Sequence, residues 1–190
     1  MKKSLGAKTL LFPTPLMVVG TYDHEGKPNL MIAAWGGICC SVPPCISISL
    51  RKATYTYASI VERKAFTIGI ACESIVAEVD FIGMVSGREF DKFKQTGLTF
   101  VRSGLVDAPY ASEFPVVIEC VLRHTLELGL HTQFIGEIVD VKADAEVLQL
   151  DGMPDLMKLH AMVFDPAHPG YHKIGPLIAP AFSIGEPLRS

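Results

Sequence analysis

The chain has 190 residues, and its 17 Lys and Arg against 20 Asp and Glu give a formal net charge of −3 and a pI near 6.1. This balance provides no basic field for nucleic acid, which we therefore exclude as a partner. Mean hydropathy is high at +0.33, yet no apolar run approaches the roughly 18 residues of a membrane span. We expect no membrane segment and a homodimer that buries the excess apolar surface.

Strand patterns dominate the sequence from its first apolar run onward. Residues 23–26, Asp-His-Glu-Gly, have the chemistry of a hairpin turn between two such runs. Apolar residues alternate with small or polar ones in residues 45–50 and 66–70, as in half-buried strands. We therefore expect a mainly β fold built on an antiparallel sheet. The predicted strands span residues 16–22, 29–35, 45–50, 66–70, 116–122, 125–130 and 133–141.

Three helices are expected at the edge of this sheet. The first spans Tyr55 to Arg63, and the second spans Ile75 to Met84 with Ser74 as its cap. The third is short, from Asp91 to Thr96, and ends at Gly97. Strands in two groups with helices between them predict an antiparallel barrel with peripheral helices, in one domain over residues 1–190.

The two chain ends and the cysteines carry further expectations. Pro13 and Pro15 interrupt the apolar stretch that follows Lys2 and Lys3, and no small-residue cleavage site follows, so we expect a cytoplasmic protein. Five Cys without a C-x-x-C pair predict reduced thiols. From about residue 165 the chain is rich in Pro, which predicts an irregular segment that wraps over a neighbouring subunit.

A cluster of phosphate-binding residue types follows the strand predicted over residues 45–50. Two cations, two Thr hydroxyls and the first N–H groups of a helix gather there, and a phosphate dianion needs such donors from several directions. Basic residues after a strand are also common in solvated turns, and Thr54 could serve only as a helix cap. The residue types alone leave both readings open. The cluster comprises Arg51, Lys52, Thr54, Tyr55 and Thr56.

The chain resembles the flavin reductase-like, FMN-binding split-barrel family. The resemblance rests on the order of short motifs at residues 15–29, 41–48, 51–56, 86–93 and 131–138, which read PLMVVGTYDHEGKPN, SVPPCISI, RKATYT, SGREFDKF and HTQFIGEI. It implies an antiparallel Greek-key split β-barrel and FMN as the cofactor. The dinucleotide motif G-x-G-x-x-G after a strand and the P-loop motif are both absent from the sequence.

The resemblance also implies which residues contact FMN. The cluster at Arg51 would hold the phosphate, Trp35 would line the isoalloxazine ring between small neighbours, and Phe164 would close over the ring from the C-terminal segment. Lys92 would place its ammonium near the pyrimidine edge or the phosphate, and His131 would contact FMN from its own or from the other subunit. The expected FMN-binding residues are Asn29, Ala34, Trp35, Arg51, Lys52, Thr54, Tyr55, Thr56, Ser86, Lys92, His131 and Phe164.

Ordinary structural roles remain open for several of these residues. A single Trp is often part of a core, a Lys is usually solvated, and Asn29 beside a Pro is typical of a turn. We identify no catalytic residue. We also expect no metal site, because His168 and His172 lie among Pro and Gly residues that do not fix a ligand geometry.

Three functions are compatible with these features. The preferred one is an FMN flavoprotein that carries electrons between redox proteins, with a ferredoxin or a cytochrome-like protein as partner. The alternative is an NAD(P)H-dependent flavin reductase that releases reduced FMN, and a third is a non-catalytic FMN sensor or storage protein. A carrier should bind FMN tightly, whereas a flavin reductase must release it.

Overall fold

The computed structural model describes residues 1–189, and residue 190, the last of the predicted domain range, lies outside them. The described part is mostly strand, with three α-helices, α1 (Tyr55–Arg63), α2 (Val76–Met84) and α3 (Lys92–Thr96). The strands are β1 (Thr14–Pro15), β2 (Met17–Tyr22), β3 (Pro28–Ala33), β4 (Gly36–Ser41), β5 (Pro44–Arg51), β6 (Ala65–Ile70), β7 (Phe100–Arg102), β8 (Pro109–Ala111), β9 (Val116–Leu128), β10 (His131–Ala143), β11 (Met162–Asp165) and β12 (Gly170–Lys173).

Seven strands form one antiparallel sheet in the order β3-β2-β6-β9-β10-β5-β4. The non-consecutive neighbours give the Greek-key split barrel, so the predicted fold class is confirmed. Strands β3 and β5 lie near opposite ends of this order. Even so, the Ser49 N–H of β5 donates to the carbonyl of Trp35, just after β3, at 2.8 Å. A three-stranded sheet, β1-β11-β12, and the pair β7-β8 complete the strand pairing.

Strand β2 is buried along its whole length because both of its faces are covered. Met17 and Val19 belong to one apolar cluster, which also contains Phe134 of β10. Val18, together with Leu16 just before the strand, belongs to a second cluster, which includes residues of α2 and α3. Helices α2 and α3 therefore pack against the sheet by apolar contacts, whereas Ile60 of α1 belongs to the first cluster.

The helices follow the sequence signals closely. The predicted bounds of α1 are confirmed at both ends, with Lys64 in the left-handed region at φ 55° as the C-cap. Helix α3 begins one residue later than predicted, because Asp91 is its N-cap and accepts from the Lys94 N–H at 3.2 Å, and Gly97 ends the helix at φ 73°. The predicted Ser74 cap is wrong. The chain makes a short 3₁₀ turn at Glu73–Ile75, so α2 begins one residue later and no side chain caps it.

Other differences concern strands. The two strands predicted over residues 116–122 and 125–130 form one continuous strand, β9. Its pairing with β10 contains two register shifts, and the pairing continues across both of them. Strand β4 was not predicted, and β12 lies within the segment expected to be irregular. All five cysteines are free, and two of them, Cys39 and Cys40, are exposed on β4. No helix of the described residues is long and apolar enough to cross a membrane.

Candidate functional site

A cavity of about 440 Å³ opens between the barrel and the helices. Its walls come from β3 and the residues after it, the end of β5, the first turn of α1, the end of α2 with the loop that follows, and α3. The volume is in the range typical of small-molecule and cofactor sites. Ten of the twelve residues predicted to bind the cofactor line it: Asn29, Ala34, Trp35, Arg51, Thr54, Tyr55, Thr56, Ser86, Lys92 and His131.

The first turn of α1 favours an anion at the cavity wall. Its N-cap, Thr54, makes no capping hydrogen bond with its side chain, because the hydroxyl donates instead to the Arg51 carbonyl at 2.8 Å. No acidic side chain lies in the first turn. The first N–H groups of a helix have no partner within the helix, and their dipoles attract negative charge. This turn and the Arg51 side chain therefore present donors to the same cavity.

A buried polar pair lies beside this turn. The Asn29 side-chain N–H donates to the Thr56 hydroxyl oxygen at 3.0 Å, and the two residues are 4% and 1% exposed. Gly87 packs closely over them. A Cβ added there would overlap Asn29 Oδ1 and lie 2.6 Å from the Tyr55 ring, so only glycine lets the loop over residues 85–88 approach this closely. The pair fixes one wall of the cavity, and the loop covers it.

Arg88 is a cavity residue that we did not predict. Its guanidinium donates to the Ala53 carbonyl at 3.1 Å and lies 5.4 Å from the centre of the Tyr55 ring. Tyr55 is itself held, because its hydroxyl donates to Asp23 Oδ2 at 2.7 Å, and this hydrogen bond raises the pKa of Tyr55 to about 12. The motif Ser86-Gly87-Arg88 could have indicated this residue, because a cation directly follows the glycine.

Lys92 lies at the cavity wall although it is only 4% exposed. Its ammonium donates to the Ile82 carbonyl of α2 at 2.7 Å. Burial without a carboxylate partner lowers the pKa of Lys92 to about 8. Most of the lysine is therefore protonated at neutral pH, and an anionic ligand nearby would strengthen its charged form.

An aromatic ring and a histidine also line this cavity. Trp35 is half-buried, with the small residue Ala34 before it, and apolar side chains of Met31 and Leu50 line the cavity nearby. His131, the first residue of β10, pairs with Arg51 in the register of β10 on β5. This pairing explains why a histidine some eighty positions away lines the same cavity as the basic cluster.

Two of the predicted residues lie outside the cavity. The Lys52 ammonium forms an ion pair with Glu127 at 2.7 Å, because the β5–β10–β9 register brings the end of β9 beside it. Phe164 lies on β11, where it pairs with Thr14 in the small three-stranded sheet. Neither residue lines the cavity within the described chain, so the phosphate contact of Lys52 and the ring contact of Phe164 stay predictions.

Comparison with known proteins identifies the family. The flavin reductase like domain matches residues 9–157. This chain belongs to that family. Flavoredoxin of Desulfovibrio vulgaris (Miyazaki F) has a similar structure, with a TM-score of 0.94 and 55% identity over 98% of this chain and 100% of that chain. The family and this similarity support a flavin redox protein, as predicted.

Two curated relatives are more distant. An uncharacterized protein of Aeropyrum pernix is 31% identical over 129 residues, which are 67% of this chain and 49% of that protein. The chain thus spans about half the length of this relative. A ferric-chelate reductase (NAD(P)H) of Archaeoglobus fulgidus is 31% identical over 135 residues, or 70% of this chain and 79% of that protein.

Within the described residues, no group of three or more His, Cys, Asp or Glu side chains is arranged to hold a metal ion.

Proposed function

We propose that the cavity binds FMN, with the phosphate beside the first turn of α1 and the isoalloxazine ring beside Trp35. The observation that carries this proposal is the convergence of Arg51, Arg88 and the uncapped start of α1 on one cavity. Two guanidinium groups and free backbone N–H groups are the donors that a phosphate dianion needs. Riboflavin lacks the group that these donors would bind.

The residues of the chain have separate roles in this proposal. Asn29 and Thr56, paired at 3.0 Å, keep polar groups available for the ribityl hydroxyls or the phosphate. Trp35 and Ala34 provide a flat apolar wall for the ring, and the buried Lys92 ammonium favours negative charge on the cofactor. FMN supplies the redox chemistry, while the protein binds it, orients it and adjusts its potential through these contacts.

We propose that the protein carries electrons between other redox proteins, such as a ferredoxin and a cytochrome-like protein. The support is the similarity to flavoredoxin over the whole chain, together with the number of contacts that the cavity offers the phosphate. A cofactor held at many points stays bound through repeated encounters with partner proteins. We place such a carrier in the cytoplasm.

The phosphate anchor can be tested with two matched arginine variants. Arg88 and Arg102 each lie over a tyrosine ring, Tyr55 and Tyr22, but only Arg88 lines the cavity. Arg88→Met should weaken FMN binding by at least about tenfold, since charge-assisted hydrogen bonds contribute about 1.5–3 kcal/mol. Riboflavin affinity should stay unchanged, and Arg102→Met should affect neither ligand. Equal losses for FMN and riboflavin would contradict the placement of the phosphate.

The second candidate is an NAD(P)H-dependent flavin reductase, and the similarity to the ferric-chelate reductase (NAD(P)H) favours it. Stopped-flow absorbance of the oxidised flavin band separates the two functions. A carrier should be reduced slowly by NADH and quickly by a reduced ferredoxin, with a rate that depends on salt. Rapid bleaching that saturates with NADH and releases reduced FMN would instead establish the reductase.

A further inference from the structure

A second cavity, of about 490 Å³, shares a wall with the first. Ile32, Ala34 and Gly83 line both cavities. On the far side the second cavity is bounded by Met84 of α2 and by Phe164 of β11. A ligand in this cavity would therefore lie next to a cofactor in the first, separated from it by small or aliphatic side chains.

The two cavities differ sharply in charge. The first is lined by Arg51, Arg88 and Lys92, whereas none of the ten described residues that line the second is Lys, Arg or His. Its one charged residue is Asp80, whose Oδ1 accepts from the Tyr171 hydroxyl at 2.7 Å. A phosphate in the second cavity would meet a carboxylate and no cation. An anionic ligand is therefore disfavoured, and an uncharged one avoids burying a charge against the mostly apolar lining.

The shape of the second cavity indicates a flat ligand. The rings of Phe164 and Tyr171 lie 6.1 Å apart and are tilted by 50°, and both face the same apolar cluster as Ile32. Ala34 and Gly83, which line the same cavity, contribute little side-chain volume. Aromatic walls opposite small residues accommodate a planar ring, which gains apolar and ring-to-ring contacts.

We propose that the second cavity binds an uncharged planar aromatic compound of the quinone class beside the flavin. The redox role of this compound rests on the flavin site proposed above, whereas its binding requires only the second cavity. It also gives Phe164 a role, because the residue predicted to cover the flavin would instead hold the flavin's small-molecule partner. The nicotinamide dinucleotides, which carry phosphates, would not fit here.

The test measures binding of duroquinone by isothermal titration calorimetry, with flavin-free and FMN-loaded protein and no reductant. Duroquinone is planar, uncharged and fully substituted, so it does not add readily to the exposed Cys39 and Cys40. Both forms should bind one equivalent. Nicotinamide mononucleotide, which carries a phosphate, should bind the FMN-loaded protein at least about tenfold more weakly.

Variants then locate the bound duroquinone. Met84 is 74% exposed at the end of α2, and Met84→Trp should cover the cavity and weaken duroquinone binding by about tenfold. Phe164→Ala, which removes one aromatic wall, should also weaken it. The matched control is Met153→Trp, because Met153 is 64% exposed and lines neither cavity. FMN affinity should remain within about twofold in all three variants.

Each opposing result is informative. Duroquinone binding that is unchanged in both Met84→Trp and Phe164→Ala would overturn the proposal, and so would a failure of the flavin-free and FMN-loaded proteins to bind duroquinone. A loss of FMN affinity in Met84→Trp would show instead that the second cavity is part of the flavin site. If FMN itself fails to bind the native chain while duroquinone binds, the proposed function fails and the second site stands.

Discussion

FMN affinity should depend on pH through Lys92. The buried ammonium has only the neutral Ile82 carbonyl as its hydrogen-bond acceptor, and burial lowers the pKa of Lys92 to about 8 from an ordinary value of 10.5. An FMN phosphate or a polarised ring nearby would favour the charged lysine and raise its pKa again. FMN binding above pH 8 should therefore take up a proton.

The size of the effect follows from the fraction of protonated lysine. With a pKa of about 8, about nine-tenths of the flavin-free protein carries the charge at pH 7 and about one-tenth at pH 9. FMN should bind about tenfold more weakly at pH 9 than at pH 7, a difference of about 1.4 kcal/mol. Fluorescence titration of FMN at several pH values measures it. Lys92→Met is the control, and its affinity should be lower and independent of pH over this range.

The free energy of unfolding of the flavin-free protein gives an independent test of the pKa of Lys92. Below the folded-state pKa of about 8, the lysine is charged in both the folded and unfolded states, and the cost of burying the charge is constant. Between that pKa and 10.5 the unfolded chain holds more protons, so the free energy of unfolding should rise with pH. An FMN affinity that stays constant from pH 7 to 9, together with no such rise, would refute the assigned environment of Lys92.

Three further outcomes are expected. Trp35→Ala should change the quenching of flavin fluorescence, whereas Thr56→Ala should weaken FMN by about 1 kcal/mol; unchanged spectra and affinities would contradict both placements. Lys142→Met should lower the free energy of unfolding in urea by about 3 kcal/mol, because it leaves the fully buried Glu119 carboxylate without its partner at 2.6 Å. Light scattering should give a dimer mass, since apolar side chains such as Leu130, 72% exposed, need cover; a monomer at micromolar concentration would contradict this.

Local signals predicted well those features that depend on neighbouring residues. The bounds of α1 follow from apolar residues spaced along one helix face, and the end of α3 at Gly97 follows from C-cap chemistry within a few positions. The alternation in β5 likewise predicted a strand that ends in the basic cluster. Most of the cavity residues were identified because the order of motifs marks the family, although each motif alone is unspecific.

Features set by long-range register were harder to predict. Lys52 looked equivalent to Arg51 in the sequence, but the strand register places Glu127 beside Lys52 and leaves Arg51 at the cavity. Phe164 lies outside the first cavity on a strand that pairs with Thr14, and nothing local in the sequence indicates that pairing. Strand β4 was missed because the run around Gly36 and Gly37 has no regular alternation and contains a single strong strand former, Ile38.

If a phosphate anchors the cofactor in the first cavity, the ratio of FMN to riboflavin affinity should reveal it. Both ligands should be titrated into the same flavin-free protein at pH 7 by fluorescence or calorimetry. Two guanidinium groups and the start of α1 predict that FMN binds at least about a hundredfold more tightly. Riboflavin binding within a factor of about two of FMN would leave the phosphate less than about 0.5 kcal/mol and contradict the assigned site.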